Sequence, residues 1–467
     1  MASPARLSRG LVAVLTLGAV LLSTQARAQG LNLIRDTEIE ETLKAETSPV
    51  LAASGLRVQD IHIYLVGDRE LNAFTAAGQN IFLNTGLIEE TESPNQLAGV
   101  VAHEAGHIAA GHIVRDDLSK AGMKPFLLTM GLGVLAAIAG APDAGAALMA
   151  SAPQFGGIGA MGFSRVQESS ADQAAAKALE KAGMSGKGLV EFFDNYRYQE
   201  VFDDARRFQF FRDHPLSEDR IEALRRRVEA APHYNVVDSA EAIDRHELMK
   251  AKLRAFMDGP QQTFIKYKET DTSFIARYAR AIAYYRSTEP EKALQQIQGL
   301  LTEFPDNPYL WELKGQVLLE SGRAAEAEAA HRHSVTLKPD APLLRINLAQ
   351  ALIAEAQSAD AGSKGPQQLD EAIAQLKASL AEDHDNAVAY RMLSEAYDGK
   401  HEDGQARLAF AEYHFAQGEF GDAKAFAMRA RERLPKNSPE WRRATDIVLV
   451  SNPSQDELRQ MSRPGGG

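Results

Sequence analysis

A thirty-four-residue period in the second half of the chain constrains the fold more than any other feature. Ala281, Tyr284, Ala293 and Pro305 recur thirty-four positions later as Gly315, Leu318, Ala327 and Pro339, and Trp311 stands four residues before Gly315. Small residues at fixed points let two helices cross closely, and a proline closes each unit. The period therefore predicts stacked helical hairpins of the tetratricopeptide kind. The spacing lapses near Gly362 and Gly365, continues at Ala372, and is recovered by Ala411, Ala423 and Pro435. Four or five repeats are expected over residues 271–450, against the simpler alternative of a plain helical bundle. Residues 451–467, ending in MSRPGGG, read as a disordered tail.

A chain of 467 residues is too long for one ordinary core, so another domain is expected before the repeats. Residues 31–48 read as a charged amphipathic helix, 61–66 and 81–83 as short apolar strands, and 96–119, 167–182 and 217–230 as helices. The expected organisation is an α+β domain over 31–232, a helical connector over 233–270, and the repeat superhelix. The fold class is mainly α.

The formal net charge of −12 argues against a nucleic-acid partner, because phosphate binding needs a basic surface. The first residues have the order of a secretory leader. Arg6 and Arg9 precede an uncharged apolar run over 11–22, and Ala26-Arg27-Ala28 offers small residues for cleavage after Ala28. An uncleaved anchor is the alternative. The chain has no cysteine, which suits an oxidising compartment. A bacterial periplasm is the expected location.

The chemistry lies in two short runs. His103 and His107, in HEAGH, are four apart and share one helix face, so both can donate a ring nitrogen to one metal ion. Glu104 beside them is positioned to polarise a water there. Small Ala105 and Gly106 permit close packing against the site. An extended motif with a third histidine six residues past His107 fails, because that position is Ile113. His112 is one residue short and, on a continuous helix, falls off the ligand face, so it reads as a helix-surface or outer histidine. The better third ligand is Glu168, which opens Glu-Ser-Ser-Ala-Asp on another helix. Asp172 lies on the same face and can accept the second ring N–H of a ligand histidine. A solvated helix face is the plain alternative for that pair.

HEAGHIAAGH, then ESSAD, then DHPLSEDRI over 213–221 together resemble the gluzincin peptidases of family M48. The segment LNAFTAAGQNIFLNTGLI over 71–88 is similar to that family's strand beside the active site. The resemblance implies a zincin-type metallopeptidase domain with one zinc per subunit, held by His103, His107 and Glu168, and with Glu104 as general base. It implies that His214 either takes the fourth metal position, keeping the enzyme quiet, or faces the substrate carbonyl. It places Arg220 near the active site. It implies protein substrates and work in periplasmic quality control, with outer-membrane barrel precursors or their assembly machinery met through the repeats. The rival reading is a chaperone or scaffold acting mainly through the repeats. The strand over 80–84 is expected to pair with an extended substrate. Thr75-Ala76-Ala77 departs from the more apolar stretch of the family and leaves the shape of that loop open.

From Pro125 to Pro142 the chain carries no charge, near the lower length for a membrane span, but three glycines interrupt it. It reads as a lid or plug over the site in peripheral contact with a membrane, ahead of a true span.

Overall fold

The computed structural model describes residues 32–76, 79–112, 165–197, 209–358 and 364–452, and Ser454. The expected leader, the stretch from Pro125 to Pro142, Ala77 and nearly all of the tail lie outside the described residues.

The first domain begins with a short strand β1 (Leu33–Ile34) and helix α1 (Thr37–Ala53). Asp36 caps α1 by accepting from the Ile39 amide. The helix starts later than its charge pattern suggests and runs through Pro49 rather than stopping there. Pro49 is exposed, and Val50 and Leu51 beyond it are buried in the core. Strands β2 (His62–Val66), β3 (Ala73–Ala76) and β4 (Asn80–Asn84) follow. The sheet order is β1-β2-β4-β3, with β2 and β4 parallel and β3 antiparallel to β4. Side chains alternate across it. Leu65, Ala73, Ile81 and Leu83 join the core, while Tyr64, Phe82 and Phe74 stack as a row on the other face, with centroids 5.1 and 4.9 Å apart.

This topology corrects one expectation. The strand over 80–84 cannot accept an extended substrate, because it is hydrogen-bonded on both sides, to β2 and to β3. Among the described residues the edge on the far side is β3, a strand that the apolar runs do not reveal because Ala73, Thr75 and Ala76 lack a strong apolar pattern.

Short α2 (Thr85–Glu90) leads to α3 (Pro94–Ala109), the helix carrying HEAGH. Ser93 caps α3 by accepting from the Gln96 amide, and Pro94 fits the first turn, where no amide proton is needed. Leu97, Val100, Val101 and Ala105 are completely buried, so α3 runs through the middle of the domain. It ends ten residues earlier than its composition suggests. Gly111 has φ +64°, and the left-handed backbone there breaks the helical register. Helices α4 (Arg165–Lys181), α5 (Lys187–Arg197), α6 (Gln209–Asp213) and α7 (Glu218–Glu229) complete the domain.

The connector is a shared wall. In α8 (Ala240–Met257), Met249 and Leu253 pack into the first domain's core, whereas Ala251 and Ala255 pack into the core of the following helices. Each pair is four apart, and the two pairs are offset by two residues, which puts them on opposite faces. After α9 (Pro260–Lys266), helix starts repeat at the expected interval. Helices α10 (Phe274–Arg286), α12 (Pro308–Glu320) and α14 (Pro342–Ala356) begin thirty-four residues apart, as do α11 (Pro290–Glu303) and α13 (Ala324–Leu337). Ala281, Ala293 and Ala327 are fully buried. Further helices run from Gly365–Glu382 to Pro439–Val450. The protein is thus mainly α, with helical repeats after the small α+β domain.

The repeats also meet α1 directly. Lys252 of α8 lies 3.0 Å from Glu38 and 2.8 Å from Asp36, and the Tyr278 hydroxyl donates to Glu38 at 3.0 Å. Tyr309 donates to Glu41 at 2.6 Å, Lys338 lies 2.9 Å from Glu41, and Arg35 reaches Asp383 at 3.1 Å. Successive repeat helices therefore contact one edge of the first domain.

His331, 1% exposed, packs against Gly315, where a Cβ would come within 2.6 Å of the ring. Among the described residues neither ring nitrogen has a hydrogen-bond partner. Burial alone pushes its pKa down to about 4 from 6.5. The unfolded chain then binds a proton that the folded chain resists. Stability from this site is complete above about pH 6.5 and is lost as pH falls towards 4, by on the order of 3 kcal/mol. His331→Leu is expected to raise the melting temperature of the repeats and to flatten its fall between pH 6.5 and 4. Parallel pH profiles of the two proteins would show the penalty to lie elsewhere.

Candidate metal centre

Helix packing assembles the cluster. Gly106 lies against α4 so closely that a Cβ would stand 2.9 Å from the Ala171 carbonyl oxygen. That approach brings Glu168, at the start of α4, over the His103–His107 face of α3. The tight turn between α6 and α7 brings in His214, whose amide donates to Phe210 at 2.7 Å. His103, Glu104, His107, Glu168 and His214 are all completely buried.

The distances form a compact set. His103 Nε2 lies 3.1 Å from His107 Nε2 and 3.2 Å from His214 Nδ1. Glu168 lies 3.4 Å from His103 Nε2, 3.4 Å from His107 Nε2 and 3.1 Å from His214 Nδ1. One ligand atom from each of the four residues lies within 4.8 Å of every other. Asp172 Oδ1 stands 3.0 Å from His103 Nδ1, the nitrogen turned away from the cluster. Arg220 grips Asp172 with two hydrogen bonds of 2.6 and 2.9 Å, reaches Glu168 at 2.9 Å, and donates to the Pro215 carbonyl at 2.7 Å. Glu104 lies 3.4 Å from His214 Nε2, and among the described residues neither of its carboxylate oxygens has a hydrogen-bond partner.

Electrostatics follow from the packing. Burial disfavours a charge on His103, but the Asp172 and Glu168 carboxylates overcome it and push its pKa up to about 10. His107 is pushed down to about 3 by burial, with the His103 and His214 rings adding to the effect. Burial also opposes ionisation of Glu168 and Asp172. His214 and the hydrogen-bonded His103 and His107 nevertheless hold Glu168 well below the usual carboxylate range, and His103 and Arg220 do so for Asp172. Glu104 has too little compensation, and burial raises it.

These residues fit a zinc ion. Zinc bonds of about 2.0–2.2 Å in a tetrahedron give ligand–ligand edges of roughly 3.3–3.6 Å, and the five contacts among the donor atoms, with both Glu168 oxygens taking part, run close to this at 3.1 to 3.4 Å. The donors are imidazole nitrogen and carboxylate oxygen, which zinc prefers. The unpartnered oxygens of Glu104, beside the cluster, suit a carboxylate that meets a water there.

The structure brings together every residue singled out in the sequence: His103, Glu104, His107, Glu168, Asp172, His214 and Arg220. It also brings His112 against the far side of His107, as an outer histidine and not as one of the four converging residues, by a backbone path that a helix continuing to residue 119 does not take. Gly111 was the signal against such a helix. Phe193 was not anticipated either. Its ring stands edge-on to His103 at 5.9 Å and lies under the Arg220 guanidinium at 5.4 Å. Among the described residues, no helix is long and apolar enough to cross a membrane.

The comparisons with known proteins agree with this geometry. The chain is 25% identical over 313 residues to a protein of Yersinia pestis named β-barrel assembly-enhancing protease, covering 64% of this chain and 62% of that one. It is 25% identical over 309 residues to the protein of the same name in Escherichia coli strain K12, covering 65% and 62%. It is 32% identical over 166 residues to the E. coli metalloprotease LoiP, covering 35% and 60%. The chain thus spans about three fifths of the length of each of these relatives. The profile described as peptidase family M48 matches residues 38–228, from the start of α1 to the end of α7. That stretch holds all the residues of the cluster, and this domain belongs to peptidase family M48.

Proposed function

We propose that the chain is a zinc-dependent endopeptidase of the bacterial periplasm. In this reading His103, His107 and Glu168 hold one zinc, and the helical repeats, of tetratricopeptide type, hold protein clients near the cleft. The carrying observation is the set of four buried residues whose ligand atoms lie within 4.8 Å of one another, beside a carboxylate whose oxygens have no hydrogen-bond partner among the described residues. Zinc, when bound, supplies Lewis acidity towards a water and the scissile carbonyl. The chain's own groups do the rest. Glu104 takes the proton from the attacking water and returns it to the leaving nitrogen. Asp172 fixes the His103 ring through Nδ1, so that Nε2 faces the metal. Arg220 acts as a positioning residue, aligning Glu168 and Asp172 at once. Strand β3 offers its outer edge to an extended peptide, so recognition rests on backbone hydrogen bonds more than on side chains.

The relatives' name points to envelope quality control, with outer-membrane barrel precursors or their assembly machinery as clients. The secretory order of the first residues supports the same compartment.

His214 sits where a fourth ligand would. A catalytic zinc keeps that position open, so His214 in this arrangement holds the enzyme latent, and it must move before a substrate is cut. The test is cleavage of an unfolded protein such as casein, with metal content measured on the same sample. Cleavage should stop with a chelator, return with zinc, and accompany one zinc per chain. His214→Ala should raise the basal rate while remaining dependent on Glu104. A rate that falls tenfold or more would instead make His214 an oxyanion donor. Client protection that survives Glu104→Gln but not deletion of the repeats would favour the chaperone reading.

A further inference from the structure

Helix α3 ends at Ala109 in a hook rather than another turn of helix. Ala110 donates back to the Gly106 carbonyl at 3.0 Å, and Gly111 to Ile108 at 3.0 Å. At φ +64° Gly111 then turns the chain in the left-handed region. Among the described residues no atom lies within 4 Å of where its Cβ would be, so what calls for glycine here is the backbone. The hook returns His112 to the helix end. His112 is 3% exposed, and its Nδ1 lies 3.1 Å from Nδ1 of His107. The two rings meet edge to face, with centroids 5.1 Å apart at 71°.

The opposite nitrogen of His107, Nε2, is the one facing His103 and Glu168. A neutral histidine that gives Nε2 to a metal carries its proton on Nδ1, and that proton needs an acceptor when the ring is buried. We propose that His112 is this acceptor: it holds His107 in the Nε2-coordinating tautomer and fixes the angle of its ring. The inference rests on the zinc reading of the site. The two ligand histidines of α3 are then oriented by different chemistry. His103 is set by a carboxylate from another helix, Asp172. His107 is set by an imidazole presented by the helix's own C-terminal hook, in the tautomer whose Nδ1 accepts. His112 is a positioning residue, acting on the metal through His107.

The test is zinc affinity of the full-length protein, measured by competition with a chromogenic chelator, with circular dichroism to show that each variant is folded. His112→Ala should weaken zinc binding by about 10- to 100-fold, the usual cost of losing such a partner. His112→Asn places an amide oxygen where Nδ1 stood and should keep affinity within about threefold of wild type. Gly111→Ala leaves the His112 ring intact but disfavours the hook, and should weaken binding in the same direction. Gly111→Asn tolerates the left-handed backbone and should restore it. Wild-type affinity in folded His112→Ala, with a wild type that binds one zinc, overturns this inference and leaves the zinc site standing. A loss in His112→Asn equal to that in His112→Ala also overturns it, since ring packing and not an acceptor would then be at work. A wild type that binds no zinc overturns both readings.

Discussion

Glu104→Gln is expected to lower cleavage by about 10²- to 10⁴-fold, the usual contribution of a positioned general base, and to leave zinc content unchanged. Glu104 points at the cluster from α3 but is not one of the four residues whose atoms converge. Its two oxygens are completely buried and accept no hydrogen bond from the described residues. Burial raises its pKa, which makes the carboxylate a better proton acceptor than an exposed one. Glutamine has the same shape and fills the same space, so helix α3 and the ligand set should be undisturbed. What it loses is the capacity to take a proton. The measurement is the initial rate of casein cleavage, with zinc determined on the same protein. A zinc-loaded Gln variant that turns over at the wild-type rate would remove Glu104 from the proton transfer.

Arg220→Met is expected to destabilise the first domain by about 3–5 kcal/mol, the usual cost of breaking a buried pair. The Arg220 side chain is 4% exposed and lies between Asp172 and Glu168, side chains exposed by 2% and 0%. Both carboxylates stay ionised, and Arg220 is one of the groups keeping Asp172 so. Removing the guanidinium leaves two negative groups inside the domain with less compensation, and also frees the Pro215 carbonyl that precedes α7. Methionine keeps much of the packing against Phe193, so the loss can be assigned to charge and hydrogen bonds. Arg220→Lys should fall between the two, because it keeps the charge and loses the planar fork. Urea unfolding followed by a probe in the first domain measures the effect. A Met variant as stable as wild type would show that the pairs contribute no net stability.

Much of the cluster was legible in the sequence because its spacings are local. His103 and His107, and Glu168 and Asp172, are each four apart on a helix, and that spacing puts both members of each pair on one face. The helical repeats were legible for the same reason, since the interval between Ala281 and Gly315 is carried by each unit separately. The edge of the sheet was not legible. Ala73, Thr75 and Ala76 have no strong strand character, and they become a strand by pairing with Asn80–Asn84. The helix end at Ala109 is not legible either, because the alanines and apolar spacing around it suit a continuing helix, while one glycine with positive φ ends it.

The sequence by itself determined which residue types stand at metal-ligand and proton-transfer spacing, and that a helical array follows the first domain. These depend on residue type and on periods no longer than one repeat. Tertiary structure alone decided that His214 stands among the ligand atoms, that Arg220 bridges both carboxylates, that His112 folds back onto His107, and that α8 serves two cores. Each of these joins groups through long-range packing or through the sign of a single backbone angle. No local pattern encodes such a distance, because it is set by how closely α3, α4 and α7 can approach, and Gly106 against Ala171 sets that for the first two.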